Sequence, residues 1–192
     1  MNKLIPAILL LAFWSGTAGA DWVLDNEESI LSFTSTKANA AAEVHKFGML
    51  NGHVDKSGNA TLKIDLNSVD TAIELRDERM RELLFNTAEF PEATLTMSVD
   101  MQQLKALQAG DSLSIDGTGE LSLHGTSIEI AVAMKVARLG AKRLLVASEK
   151  PVIINAASVG LAEGIEKLRE VAGLPSISPA VPVTFVLSFE RS

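Results

Sequence analysis

The chain has 192 residues, 47% hydrophobic and 21% charged, with 24 acidic against 17 basic side chains, a net charge of −7, no cysteine and no tyrosine. The missing cysteine excludes disulfide scaffolds, thiol nucleophiles, thiolate metal sites and an amino-terminal lipid anchor on cysteine. The apolar content excludes intrinsic disorder, and the acidic balance argues against nucleic acid or an anionic membrane as partner.

The amino terminus reads as an export signal. Lys3 gives a positive start, Leu4 to Trp14 is an apolar run of about eleven residues, and Ala18-Gly19-Ala20 has the small-x-small form of a cleavage site. Cleavage is expected between Ala20 and Asp21, leaving 21–192 as one domain in the periplasm. The run is shorter than the roughly 20 residues that span a bilayer, and no later segment is longer, so stable membrane insertion is not expected.

From there, period-two alternation dominates. Strands are expected at Trp22–Asp25, Ser29–Thr36, Glu43–Phe47, Gly52–Asp55, Ala60–Asn67, Thr94–Asp100, Glu120–His124, Ile128–Val136, Leu144–Ser148, Val152–Asn155 and Val181–Glu190, with a turn at Gly125-Thr126-Ser127. Each shows one apolar and one polar face, as antiparallel sheets do. Helical spacing covers Glu74–Phe85 and Val159–Ala172, the second ending at Gly173 before Leu174-Pro175, and a short helical turn is expected at Met101–Gln108. So many short strands in one chain indicate a sandwich or a closed barrel.

Catalytic signals are nearly absent. His45, His53 and His124 form none of the HxH, HxxxH or HExxH patterns, there is no G-x-S-x-G elbow, and Gly117-Thr118-Gly119 lacks the later glycine of a dinucleotide site. No metal and no cofactor is expected, and the chain reads as a non-enzyme. Arg76, Arg79 and Arg81 cluster on one predicted helix. They read either as a polar latch for a ligand headgroup or as partners of nearby carboxylates, with ion pairing the simpler reading.

The middle of the chain carries a resemblance. Asn67-Ser68-Val69-Asp70-Thr71, then Arg76-Asp77 with Arg79 and Arg81, then Phe85-Asn86-Thr87-Ala88-Glu89-Phe90-Pro91-Glu92-Ala93-Thr94 resemble the signature of the YceI-like, polyisoprenoid-binding family. Gly119-Glu120-Leu121-Ser122-Leu123-His124-Gly125 resembles its "GdLtlhG" hairpin, and Trp22–Phe33 its first strands. The chain departs from the family two residues before Phe47, where His45 replaces a glycine.

The resemblance implies an all-β, lipocalin-like extended antiparallel barrel of about eight strands, with one or two short helices packed on it. It also implies an isoprenoid, quinone or fatty-acid-like ligand, export, and pairing as a homodimer. An eight-stranded barrel has an interior just wide enough to be filled by side chains or to hold one small ligand. The apolar cavity candidates are Phe33, Phe47, Leu62, Ile64, Leu66, Met80, Leu84 and Phe85, then Phe90, Leu95, Met97, Leu121, Leu123, Ile130, Val132 and Phe185. The headgroup candidates are Arg76, Arg79 and Arg81. Alternation does not distinguish a hollow barrel from a filled one. The alternative function is therefore an envelope-stress or protein-interaction module with a filled barrel and no lipid ligand.

Overall fold

The computed structural model describes residues 20–38 and 41–192. The signal-sequence expectation thus lies outside the described residues, except at its cleavage point: the backbone of Ala20 opens the first strand opposite Asp55.

Eleven strands form among the described residues: β1 (Ala20–Lys37), β2 (Ala41–Phe47), β3 (Leu50–Asp55), β4 (Asn59–Asp65), β5 (Val69–Asp70), β6 (Glu92–Ser98), β7 (Ser112–Leu123), β8 (Thr126–Arg138), β9 (Arg143–Ser148), β10 (Val152–Asn155) and β11 (Ala180–Arg191). Eight close an antiparallel barrel in the order β1-β3-β4-β6-β7-β8-β9-β11, with β11 returning to β1. The other three extend it. β2 takes over from β3 along the second half of β1, β10 takes over from β9 along the first half of β11, and β5 adds two residues to the edge of β2. Closure removes the free edges of the eight-stranded ring, and the short strands β5 and β10 end the two extensions.

Several boundaries differ from the sequence reading, each for a local reason. Trp22–Asp25 and Ser29–Thr36 belong to one strand, bulged between Asp25 and Ile30. Ser29 holds the bulge, its hydroxyl donating to the Asp25 carbonyl at 2.6 Å and accepting from the Ser188 amide at 3.0 Å. β7 begins at Ser112 and not at Glu120, because Gly117 and Gly119 blank two inward positions and hide the alternation. The β7–β8 turn is His124-Gly125, both at positive φ (50° and 72°), the geometry that a two-residue hairpin loop needs.

Helix α1 (Glu74–Arg79) widens into a π-helical segment over Met80–Phe85, which ends at left-handed Asn86. Helix α2 (Met101–Ala106) is capped by the Asp100 side chain and buries Met101 and Leu104. Helix α3 (Ala162–Val171) starts later than its spacing suggested. A 3-10 turn over Ala156–Val159 and Gly160 at φ 74° come first, and Gly173 at φ 63° ends the segment as expected. α1, its π continuation and α3 cover one end of the barrel. α2 covers the other.

Candidate functional site

The barrel is hollow toward the α1/α3 end. A cavity of about 310 Å³ opens there, at the lower edge of the range typical of small-molecule sites. Its wall follows from strand register. On β1 the inward residues are Leu31, Phe33, Ser35 and Lys37, and opposite them β2 presents Phe47, His45 and Glu43. Alternate residues share a face, so the wall grades from hydrocarbon through His45 and Ser35 to two charges at the rim.

Most of the predicted cavity residues meet on this wall. Phe33 and Phe47 meet in a tilted pair at 5.3 Å between ring centroids, and Phe47 meets Phe85 at 5.9 Å. Leu62 and Ile64 of β4 and Leu66 of the following turn line one side, with Leu95, Leu121 and Leu123 of β6 and β7 beside them. Ile130 and Val132 of β8, Phe185 of β11, and Met80 and Leu84 of the π segment complete the set.

Two predicted residues stand elsewhere. Phe90 is outside the cavity wall, its ring 4.5 Å from that of His124 and its edge against Gly125. Met97 lines a second, smaller cavity at the α2 end, because the inward face of β6 runs past the middle of the barrel.

Sequence reasoning also left out part of the wall. Leu161, Ile165, Leu168, Val171 and Ala172 of the α3 segment, with Val152 and Ile154 of β10, roof the cavity. The i, i+4, i+7 spacing of Leu161, Ile165 and Leu168 was visible. What it packs against depends on the tertiary fold. α3 can lie close because Gly164 has no side chain: a Cβ there would stand 2.8 Å from the Leu83 carbonyl oxygen and the Leu84 Cα.

The rim is basic in an acidic protein. Among the described residues, Lys37, Arg76 and Arg79 border the cavity against one carboxylate, that of Glu43. Glu43 accepts from Lys37 at 2.9 Å and from the Arg76 guanidinium, and those two partners, Lys37 foremost, hold its carboxyl below the usual range despite some desolvation. The Arg79 side chain has no hydrogen bond or ion pair among the described residues. Arg81 turns away to Glu74 at 2.8 Å and does not border the cavity.

His45 is 4% exposed. Its Nε2 meets the Ser35 hydroxyl at 2.9 Å, while Nδ1 is buried with no hydrogen-bond partner among the described residues. Burial first, and then the nearby Arg76 charge, pull its pKa below the ordinary 6.5.

The residues that carry the family resemblance do structural work beside this rim. The buried Asp77 carboxylate accepts from the Thr71 amide at 2.9 Å and from the Thr71 hydroxyl, and Arg76 donates to the Thr71 carbonyl at 2.6 Å. Thr71 is thereby held through its amide, hydroxyl and carbonyl by two adjacent residues of α1. This fixes the helix to the strand end and aims Arg76 and Arg79 at the cavity. Among the described residues no cluster of His, Asp and Glu is arranged to hold a metal ion, and no helix is long and apolar enough to cross a membrane.

A closed antiparallel barrel with an apolar interior and a polar rim defines the class: a lipocalin-like barrel. The chain belongs to the YceI-like domain family, whose model matches residues 22–189. It is similar to a polyisoprenoid binding domain from Saccharophagus degradans implicated in plant cell wall breakdown. The two are 41% identical with a TM-score of 0.89, over 91% of this chain and 100% of that one. BcnA of Burkholderia cenocepacia is 20% identical with a TM-score of 0.66, over 86% and 98% of the two chains. A mutant CJ YCEI protein made for nanotechnology applications is 14% identical with a TM-score of 0.56, over 77% and 84%. These last two share the fold. No match is found among curated proteins.

Proposed function

We propose that this protein is an exported carrier that holds an apolar long-chain molecule, isoprenoid, quinone or fatty-acid-like, inside its barrel. The observation that carries the reading is the 310 Å³ cavity, with aliphatic and phenylalanine walls and a rim of Lys37, Arg76 and Arg79. Burial of a chain on such walls contributes roughly 0.8 kcal/mol per CH₂. The polyisoprenoid-binding relative from Saccharophagus degradans supports the ligand class. Arg76 and Arg79 are the headgroup residues of this proposal, and an acidic or phosphorylated headgroup suits their guanidinium groups. Arg81, already paired with Glu74, is left out of it.

Export rests on Lys3, the apolar run that follows, and Ala18-Gly19-Ala20. A periplasmic protein beginning at Asp21 is the expected product, and intact mass of the protein from that compartment tests it. Pairing as a homodimer rests on the family resemblance, with sedimentation as its measurement.

The function is tested by solvent extraction of protein purified from its native envelope, followed by mass spectrometry, and by titration with a fluorescent fatty acid. A co-extracted long-chain lipid and saturable one-to-one binding are expected. A barrel that carries none and takes up none would sink the reading in favour of a protein-interaction module.

A further inference from the structure

Beyond the main cavity, the barrel holds a second chamber of about 90 Å³ toward α2, walled by residues such as Trp22, Met97, Leu104, Ile115, Met134 and Phe189. Four side chains border both chambers: Leu62 of β4, Leu95 of β6, Val132 of β8 and Phe185 of β11. Leu62 and Leu95 are direct cross-strand partners. β6 and β11 stand four places apart in the eight-stranded ring, so Leu95 and Phe185 approach from opposite walls. These four form a waist.

The waist has a built-in recess. On the inner face of β7, Gly117 and Gly119 carry no side chain, and Met97 and Leu95 lie over the bare backbone. A Cβ at Gly119 would come within 2.8 Å of Leu95 Cδ1, and one at Gly117 within 2.9 Å of Met97 Cε. Leu95 is thus held back against the wall by the absence of a methyl group across from it. Leucine has other staggered rotamers, and a change between them moves the side chain off that wall.

The geometry points to a chain-length gate, and this inference rests on the carrier reading above. A tail that ends before the waist is held wholly in the first chamber. A longer tail passes between Leu95 and Phe185 and seats its end in the second chamber, whose walls offer almost only hydrocarbon. Leu62, Leu95, Val132 and Phe185 therefore determine which chain lengths bind, while the rim meets the headgroup.

The test is competition of saturated linear fatty acids, graded by one methylene, against a bound fluorescent fatty acid. In the wild type, affinity should rise roughly fourfold per methylene, the equivalent of about 0.8 kcal/mol per buried CH₂. It should pause over the lengths that reach the waist, then rise again. Leu95→Ala and Phe185→Leu should erase the pause; Leu95 is only partly buried, so its variant decides the matter if Phe185→Leu fails to fold. Gly119→Ala should push Leu95 inward and extend the pause. Ile115→Trp should fill the second chamber and lower the ratio of long-chain to short-chain affinity. An unbroken rise in the wild type, or a pause that none of these variants moves, overturns the gate. Failure of every fatty acid to bind overturns the carrier reading, and the gate with it.

Discussion

The two ends of this barrel are built from the same strands and yet differ in kind. At the α2 end, Trp22 is 3% exposed among Leu144, Phe189 and Leu187, with Arg138 stacked 5.4 Å above its ring. At the other end β2, β5 and β10 extend the sheet, α1 and α3 lie across it, and charged side chains from β1, β2 and α1 meet around an opening. The difference teaches that a barrel need not be uniformly packed to be specific: one end closes around a buried tryptophan and leaves only a small chamber, and the other is bordered by a few polar contacts and a helix laid across it.

Substitutions at the two ends should separate accordingly. The largest effect is expected for Trp22→Ala, about 3–5 kcal/mol of folding stability as for other buried large-to-small changes, read from urea unfolding. A loss under 1 kcal/mol would contradict the assignment of Trp22 to the core at this end. At the open end, Asp77→Ala should cost about 2–3 kcal/mol, because it leaves the buried Thr71 amide without an acceptor. Its coupling to Thr71→Val in a double-mutant cycle should be clearly non-additive, and additivity would show that the latch does not exist. Gly164→Ala should cost about 1–3 kcal/mol, since the new methyl meets backbone on the π segment and α3 must lift. Faster proteolysis within α3 checks it, and an unchanged melting temperature would refute the close approach.

The smallest effect is the dependence on pH. The pKa of His45 is lowered in the folded protein, so on acidification the unfolded chain takes up the proton first. The stability contributed by neutral His45 is complete above its ordinary value of 6.5 and is lost as pH falls through 6.5 toward the lower folded value. Arg76 and Lys37 oppose its protonation, while Glu43 and Asp77 favour it. His45→Asn should therefore flatten the decline in urea midpoint between neutral and mildly acidic pH. A decline of the same steepness in the variant would place the titration elsewhere.

How much of this was legible beforehand depended on whether a feature is local. Alternation through Leu62, Ile64 and Leu66, or through Val183, Phe185 and Leu187, marks the barrel wall, because inward and outward residues differ in kind along one strand. The alternation also marked Met97 as inward-facing without saying which chamber it faces. That depends on strand register, which no single strand reveals. The rim was partly hidden for the same reason. Lys37, Glu43 and His45 lie on the same inner wall only because β2 folds back along β1, whereas Arg76 and Arg79 were visible on one helix. The waist was out of reach. It needs four strands in register, and two of its determinants are glycines, which leave no hydrophobic mark. Phe90 stands off the wall because its ring packs on His124, a turn residue distant in sequence, and nothing in its own segment reveals that neighbour.

The seam between β1 and β11 has a kinetic consequence. Ser29 and Ser188 hydrogen-bond across 159 positions of sequence, and β1 cannot complete its pairing until residues 180–191 are available. Neighbouring strands such as β7 and β8 can zip up early through their two-residue turn, but the ring stays open until the last segment arrives. Contacts of such long range slow folding, and meanwhile the unpaired edges of β1 and β9 are exposed to other chains. Folding of this protein should thus be limited by one late closure, with aggregation competing during the interval before it.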